Sequence, residues 1–534
     1  MTLPVRSLSE STFAGADGTP LFYRHWSAAG VRAKKAVVLF HRGHEHGGRM
    51  AHLVEELAMP DAAFFAWDAR GLGRSPGERG YAEHIGTLVK DVDCFIRHIS
   101  RHYGIAIEDI AIVAQSVGAV LVSAWVHDYA PAIRCMVLAS PAFKVKLYVP
   151  LARPALALML KLRKKMFVNS YVKAKFLTHD PERIASYGSD PLITRPIAVN
   201  ILLGLYEAGE RVVGDAATIT VPTQLLVSGD DWVVQHAPQH AFFERLGSPV
   251  KESHVLDGYL HDTFGELDRE RALDLARTFL RRCFDAPPGQ VDLLQADRSG
   301  VTKTEFDRLS APPTSLLASA WWALSRLSIK AGGALSGGMK LGMRTGFDSG
   351  STLDYVYRNQ AQGVPVLGPI VDRIFLDSIG WRGIRQRKVH LARLINSAID
   401  RLASERLAVN VVDIAAGHGR YLLEAIAPRK AQVERIVLRD YSELNVAGGQ
   451  ALIKELGMET IARFVQADAF DRRSLAALTP APTLAVVSGL YELFPDNSLL
   501  RASLGGLADA MLDGGYLVYT NQPWHPQLEL IARS

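Results

Sequence analysis

Twice along this chain a short apolar run stops at a turn of small residues, and a helical pattern begins at once. The first run is Ile112-Val113-Ala114-Gln115-Ser116-Val117-Gly118. The second is Val409-Asn410-Val411-Val412-Asp413-Ile414-Ala415-Ala416-Gly417-His418-Gly419-Arg420. A strand covered on both faces reads as a nearly continuous apolar run, and one that feeds a helix directly belongs to a parallel α/β sheet. The same rhythm surrounds both runs. It predicts strands at 36–41, 63–68, 110–114, 135–139, 223–228 and 252–256, then at 410–414, 435–439, 462–465, 484–487 and 516–520. The fold class is therefore α/β, with two doubly wound domains at 1–285 and 345–534. Residues 285–315, rich in Pro, Gly and polar side chains, read as a linker. The join at 286–344 also carries amphipathic helices.

Apolar residues make up 48% of the 534 and charged residues 22%, enough for buried cores of ordinary composition. The net charge of +5 is too small to argue for nucleic acid, and none is expected as a partner. Cys94, Cys135 and Cys283 are scattered and odd in number, so neither a disulfide framework nor a zinc pattern is predicted. Residues 1–13 lack a basic stretch followed by an apolar one, and no apolar run reaches the ~20 residues of a membrane span. These features give a cytoplasmic expectation.

Small residues around Ser116 suit a nucleophile elbow, where a strained turn brings strand and helix backbones together; an ordinary strand-to-helix turn is the alternative. A serine hydroxyl needs a base, and the base needs a carboxylate to orient it. Downstream, one apolar strand ends in Gly229-Asp230-Asp231-Trp232-Val233-Val234, and the next is followed by Gly258-Tyr259-Leu260-His261-Asp262. Serine, aspartate and histidine in this order at strand ends predict a triad of Ser116, an Asp at 230 or 231, and His261. A turn aspartate and a surface-loop histidine are the alternatives.

Residues 1–285 resemble the monoacylglycerol lipase/lysophospholipase branch of the α/β-hydrolases. The resemblance rests on His41-Arg42-Gly43-His44-Glu45-His46-Gly47-Gly48-Arg49, which follows the H-G-x-G-E-H-x-x-R loop, and on Asp68-Ala69-Arg70-Gly71-Leu72-Gly73-Arg74-Ser75-Pro76-Gly77-Glu78-Arg79-Gly80. It implies Asp231 as the triad acid, backbone N–H groups of Gly43 and Val117 as the oxyanion hole, a helical cap at about 141–221, and a lipid-like carboxylic ester as substrate. Serine aminopeptidases share this fold and stand as the alternative. Arg42 and His44 replace two glycines of the branch. His41, His44 and His46 invite a metal, but the loop pattern accounts for their spacing, and no metal is expected.

Residues 147–162 and 316–346 are strongly apolar and bordered by Lys and Arg, and the second carries Trp321 and Trp322 without any acidic residue. Such stretches suit peripheral contact with an anionic membrane; buried cap or inter-domain helices are the alternative.

In the second half, Asp413, Gly417 and Gly419 form D-x-x-x-G-x-G. A dinucleotide site would want a third glycine where Leu422 stands. The pattern resembles motif I of class I S-adenosylmethionine (SAM) methyltransferases, and the domain resembles those fused behind hydrolases in some bacterial proteins. The resemblance implies SAM as cofactor, with Asp440 at the ribose and Asp468 and Ala469 at the adenine, and methyl transfer to an acceptor the sequence does not name; a domain that only binds SAM or docks partners behind a working hydrolase is the alternative. No N-P-P-Y-like element follows 484–487, which disfavours base or amide N-methylation. The sheet is expected to lack the sixth and seventh strands of that fold.

Overall fold

The chain opens on a hairpin that the sequence reading left out. β1 (Leu8–Ala14) pairs antiparallel with β2 (Pro20–Trp26), Leu8 opposite Trp26 and Ala14 opposite Pro20. The structure, a computed structural model, describes residues 6–30, 33–146, 152–163, 165–170, 172–288, 293–298, 300–522 and 524–533. The start of the 147–162 stretch, Lys164 beside it, parts of the 285–315 linker and the chain ends lie outside the described residues. The chain divides into two compact units, Met1–Thr302 and Lys303–Ser534.

In the first unit, β3 (Lys35–Phe40), β4 (Ala62–Trp67), β5 (Ile110–Gln115) and β6 (Cys135–Ala139) are almost wholly buried. A short antiparallel hairpin follows, β7 (Phe167–Asn169) with β8 (Pro196–Ala198). Then come β9 (Thr223–Ser228) and β10 (Lys251–Leu256). The eight-stranded sheet runs β1-β2-β4-β3-β5-β6-β9-β10, parallel from β4 onward, as the hydrolase resemblance implies. Helices cover both faces. Phe40, Phe65 and Trp67 pack with Phe95 of the Ile85–Tyr103 helix on one side. Phe64 and Val113 pack with Phe279 and Leu280 of the Glu270–Asp285 helix on the other. Between β6 and β9 the chain leaves the sheet for helices Ala152–Leu162, Pro181–Ser189 and Val199–Gly214.

The second unit begins with helices, among them Leu316–Leu335, Gly337–Thr345, Gly350–Arg358, Gly368–Leu376 and Ile379–Ser404. Its sheet is β11 (Asn410–Ile414), β12 (Arg435–Asp440), β13 (Ala462–Gln466), β14 (Leu484–Val487) and β15 (Tyr516–Tyr519). All pairs are parallel in the order β13-β12-β11-β14-β15. Among the described residues no sixth or seventh strand flanks β15. Strand order reverses about β11, so the crevice beyond the carboxyl ends of β11, β12 and β14 is where such a sheet takes a ligand.

Candidate active site

β5 runs straight into the Val117–Tyr129 helix, and the junction is Ser116, at φ 55° and ψ −117°. A non-glycine residue at positive φ is strained, and strain of this kind persists where the surroundings fix it. Here Ser116 N–H donates to Ala139 O (2.9 Å), while Ser116 O accepts from Ala142 N–H (3.1 Å). Gly118 lets the helix approach β3: a Cβ there would stand 2.5 Å from His41 O and 2.7 Å from Phe40 O, both backbone atoms.

The turn after β9 and the loop after β10 bring two side chains to this point. His261 Nε2 is 2.7 Å from Ser116 Oγ, and His261 Nδ1 is 2.7 Å from Asp231 Oδ2. Asp231 Oδ1 accepts from Val233 N–H (2.7 Å) and Val234 N–H (3.0 Å). Burial alone would raise the pKa of this carboxyl; the facing His261 and the two amides outweigh it and hold it below its ordinary value. All three side chains are buried. Asp230, next to Asp231, is exposed.

Gly43 lies against the first turn of that helix, where a Cβ on it would meet Val117 Cγ2 at 2.9 Å. Gly43, Ser116 and Val117 line the same cavity. Arg42 and His44 turn out to anchor the loop that carries Gly43. Arg42 is buried and bonds Glu45 through Nε (3.1 Å) and Nη2 (2.6 Å); Nη2 also lies 3.2 Å from Asp262. Asp262 in turn meets Arg183 (2.9 Å) and accepts from Gln115 Nε2 (3.2 Å). Burial opposes a charge on Asp262, but Arg42 and Arg183 hold its carboxyl well below the usual range. His44, at φ 69°, bonds Thr194 O through Nδ1 (2.8 Å). Sequence reasoning missed Asp262 and Arg183; the only signal was the pair of replaced glycines. His41 bonds Arg42 O and Ala69 N–H, and His46 bonds Asp190, so the three histidines of the loop point to separate partners.

Ser116 and His261 open into a cavity of ≈ 440 Å³ whose wall is mostly apolar, including Leu156, Val172, Leu177, Leu205 and Val233. No carboxylate lines it among the described residues.

In the second unit a cavity of ≈ 730 Å³ lies at the carboxyl ends of the strands, against Gly417, Gly419, Asp440, Ser442 and Ser488. Gly417 and Gly419 take φ 60° and 73°, a region that favours glycine. Asp440 Oδ2 accepts from Gly417 N–H (2.9 Å), while Oδ1 accepts from Ser442 N–H and Asn445 Nδ2 (both 2.9 Å). Asp413 is fully buried behind the turn and accepts from Tyr421 Oη–H (2.5 Å); burial pushes its carboxyl well above the ordinary range. Asp468 is exposed, accepts from Phe470 N–H (2.8 Å) and, like Ala469, is not on the cavity wall. The Gly350–Arg358 helix covers the glycine turn, Gly350 lying against Gly417. Asp354 on it bonds Arg420 (2.5 Å), and the carboxyl is held at about 2 because His418 and Arg420 outweigh its burial.

Residues 31–268 match the family described as "Serine aminopeptidase, S33", and residues 276–534 match the family described as "Putative methyltransferase". The Escherichia coli K12 protein named "Uncharacterized protein YnbC" is 57% identical over 524 residues, 98% of this chain and 89% of that one. A monoacylglycerol lipase of Mycolicibacterium smegmatis is 29% identical over 276 residues, 50% of this chain and 94% of the lipase. Phospholipase YtpA of Bacillus subtilis is 23% identical over 257 residues, 48% of this chain and 98% of that one. The solved monoacylglycerol lipase of Paleococcus ferrophilus aligns with a TM-score of 0.45 and 23% identity, over 49% of this chain and 99% of that one.

Proposed function

Because the chain belongs to the family that includes E. coli YnbC, an α/β-hydrolase followed by a methyltransferase-family domain, we propose that its first unit is a serine esterase for lipid-like esters. The observation that carries the reading is the contact of His261 with Ser116 at 2.7 Å, with Asp231 behind it. His261 Nε2 accepts the Ser116 proton as Oγ attacks the ester carbonyl. Asp231 holds the ring so that Nδ1 keeps its proton and Nε2 stays free to accept, and it stabilises the imidazolium that forms. The N–H groups of Gly43 and Val117 receive the developing oxyanion, each worth roughly 3 kcal/mol. The alcohol leaves with the proton from His261, and water releases the acid from acyl-Ser116 by the same route. The apolar cavity suits an acyl chain, and the names of the lipase and phospholipase relatives favour a monoacylglycerol or lysophospholipid. An aminopeptidase would need an anion for the substrate ammonium, and the cavity wall offers none among the described residues.

For the second unit the reading is SAM binding and methyl transfer. The residues fit: a Cβ on Gly417 would stand 3.0 Å from Gly350 Cα, so glycine keeps that corner open, and the buried Ser488 Oγ and Asp413 Oδ2 lack partners. Gly417 and Gly419 would admit the cofactor, and Asp440 would face its ribose. Asp413 would act through Tyr421, while Asp468 and Ala469, off the cavity wall, are assigned no contact with the adenine. Bound there, SAM supplies a methyl group activated by its sulfonium. The reading is completed by a cytoplasmic enzyme held peripherally at an anionic membrane; among the described residues no helix is long and apolar enough to cross one.

A panel of monoacylglycerol, lysophospholipid and aminoacyl substrates tests the proposal. Turnover of the esters, lost in Ser116→Ala, is the expected result; turnover of aminoacyl amides alone would replace it with the peptidase reading.

A further inference from the structure

The Leu316–Leu335 helix is apolar on two sides, and among the described residues only one is covered. On the covered side, Gly332 and Gly333 are where the Gly337–Thr345 helix sits: a Cβ on Gly332 would meet Met339 Cε at 2.8 Å, and one on Gly333 would meet Met343 Sδ at 2.3 Å. On the other side Leu317, Trp321 and Leu324, spaced as one helical stripe, are 86%, 64% and 60% exposed. The C-terminal end of this helix is pinned to the segment that leads into another, since Val364 N–H donates to Leu335 O (3.0 Å). That second helix, Gly368–Leu376, exposes Ile370 and Ile374, again one turn apart. Proteins seldom leave large apolar side chains in such rows without a partner.

Charge decides among the partners. Residues 308–347 contain no Asp or Glu; Lys330, exposed, borders the apolar face one turn beyond the exposed Leu327, while Arg326 lies on the far side from the stripe and donates to Arg533 O (2.9 Å). Two copies pairing through this face about a two-fold axis would set one segment's unbalanced positive charge, Lys330 at its border, against the other's. An in-plane helix on anionic lipid satisfies both features, its Leu and Trp in the headgroup boundary and the Lys330 ammonium at the border, within reach of phosphates.

We infer that the stripe Leu317, Trp321 and Leu324, flanked by Lys330, is a docking surface for an anionic lipid bilayer, so that the second unit holds the enzyme at the membrane. The inference deepens the reading of a lipid-directed enzyme and rests on it.

The test is sedimentation of the full chain with phosphatidylcholine vesicles, with and without phosphatidylglycerol, at low and high salt. Expected is binding to the anionic vesicles that weakens with salt. The double substitution Leu317→Asp/Leu324→Asp should weaken it at least about tenfold and Lys330→Glu by a smaller factor, both leaving the melting transition in place. A double variant that binds as the unchanged chain does would overturn the inference. So would an unchanged chain that fails to sediment, or one whose stripe substitutions instead abolish a dimer in light scattering. Hydrolysis of a short soluble ester is read in parallel. Vesicle binding without ester hydrolysis by the unchanged chain sinks the functional reading and leaves the docking surface standing.

Discussion

Substitution of Asp231 by asparagine separates the proposed acid from its neighbour at minimal change in shape. Asp231 Oδ1 already accepts from the amides of Val233 and Val234, so an asparagine keeps its oxygen there and turns its NH₂ toward His261. His261 Nδ1, 2.7 Å away, must then accept, and the ring proton moves to Nε2, the atom facing Ser116 Oγ at the same distance. A protonated Nε2 cannot take the serine proton. The cost is expected near a factor of ~10⁴ in kcat, about 5.4 kcal/mol of transition-state stabilisation. Asp230→Asn, at an exposed position that touches neither partner, should stay within about twofold. Initial rates on a chromogenic short-chain ester at pH 7–8, with thermal melting as a folding control, give both values. Equal losses in the two variants, or an Asp231→Asn enzyme within about tenfold of the unchanged one, would refute the reasoning.

Asp440→Ala should abolish SAM binding measured by calorimetry on the full chain, because it removes the expected ribose acceptor and the anchor of Gly417 N–H together; retained affinity would contradict the assignment. Asp372, fully buried, accepts from Ser336 Oγ, Tyr355 Oη and the amides of Gly338 and Gln362 (both 2.8 Å), so Asp372→Ala should destabilise the second unit by about 3–5 kcal/mol in denaturant unfolding. His127 sits between Asp128 (2.7 Å) and Asp215 (2.6 Å); burial disfavours its charge, but the two carboxylates win and raise its pKa to about 9. A folded pKa above the unfolded one stabilises fully below pH ~6.5 and is lost as pH rises toward ~9. Discounted for partial exposure this is about 1–2 kcal/mol, and His127→Gln should remove that fall from the stability–pH curve of the first unit.

The inner strands were legible because a parallel strand covered on both faces leaves an unbroken apolar run. β6, β9, β11 and β14 lie where the pattern predicts them. β1 was not, since Leu-Ser-Glu-Ser-Thr-Phe-Ala at a sheet edge is mostly solvent-facing and carries no such run. Ser116, His261 and an Asp at 230 or 231 could be proposed from order alone, because the ends of parallel strands gather at one edge of the sheet; the choice of Asp231 rests on the family resemblance. The Arg42–Asp262–Arg183 chain joins residues about 80 to 220 positions apart, and nothing local marks it. Asp413 shows the limit of a motif: its place in the pattern suggests contact with a ligand, yet it lies behind the turn, bonded to Tyr421.

The central claim is that Ser116 becomes covalently acylated, and a fluorophosphonate probe tests it most directly. The full chain is treated with the probe, digested, and the adduct located by mass spectrometry. The account predicts one adduct, on the peptide containing Ser116, absent from a folded Ser116→Ala variant and slowed in Asp231→Asn. A folded chain that takes up no probe, or carries it at another serine while Ser116 stays free, would contradict it.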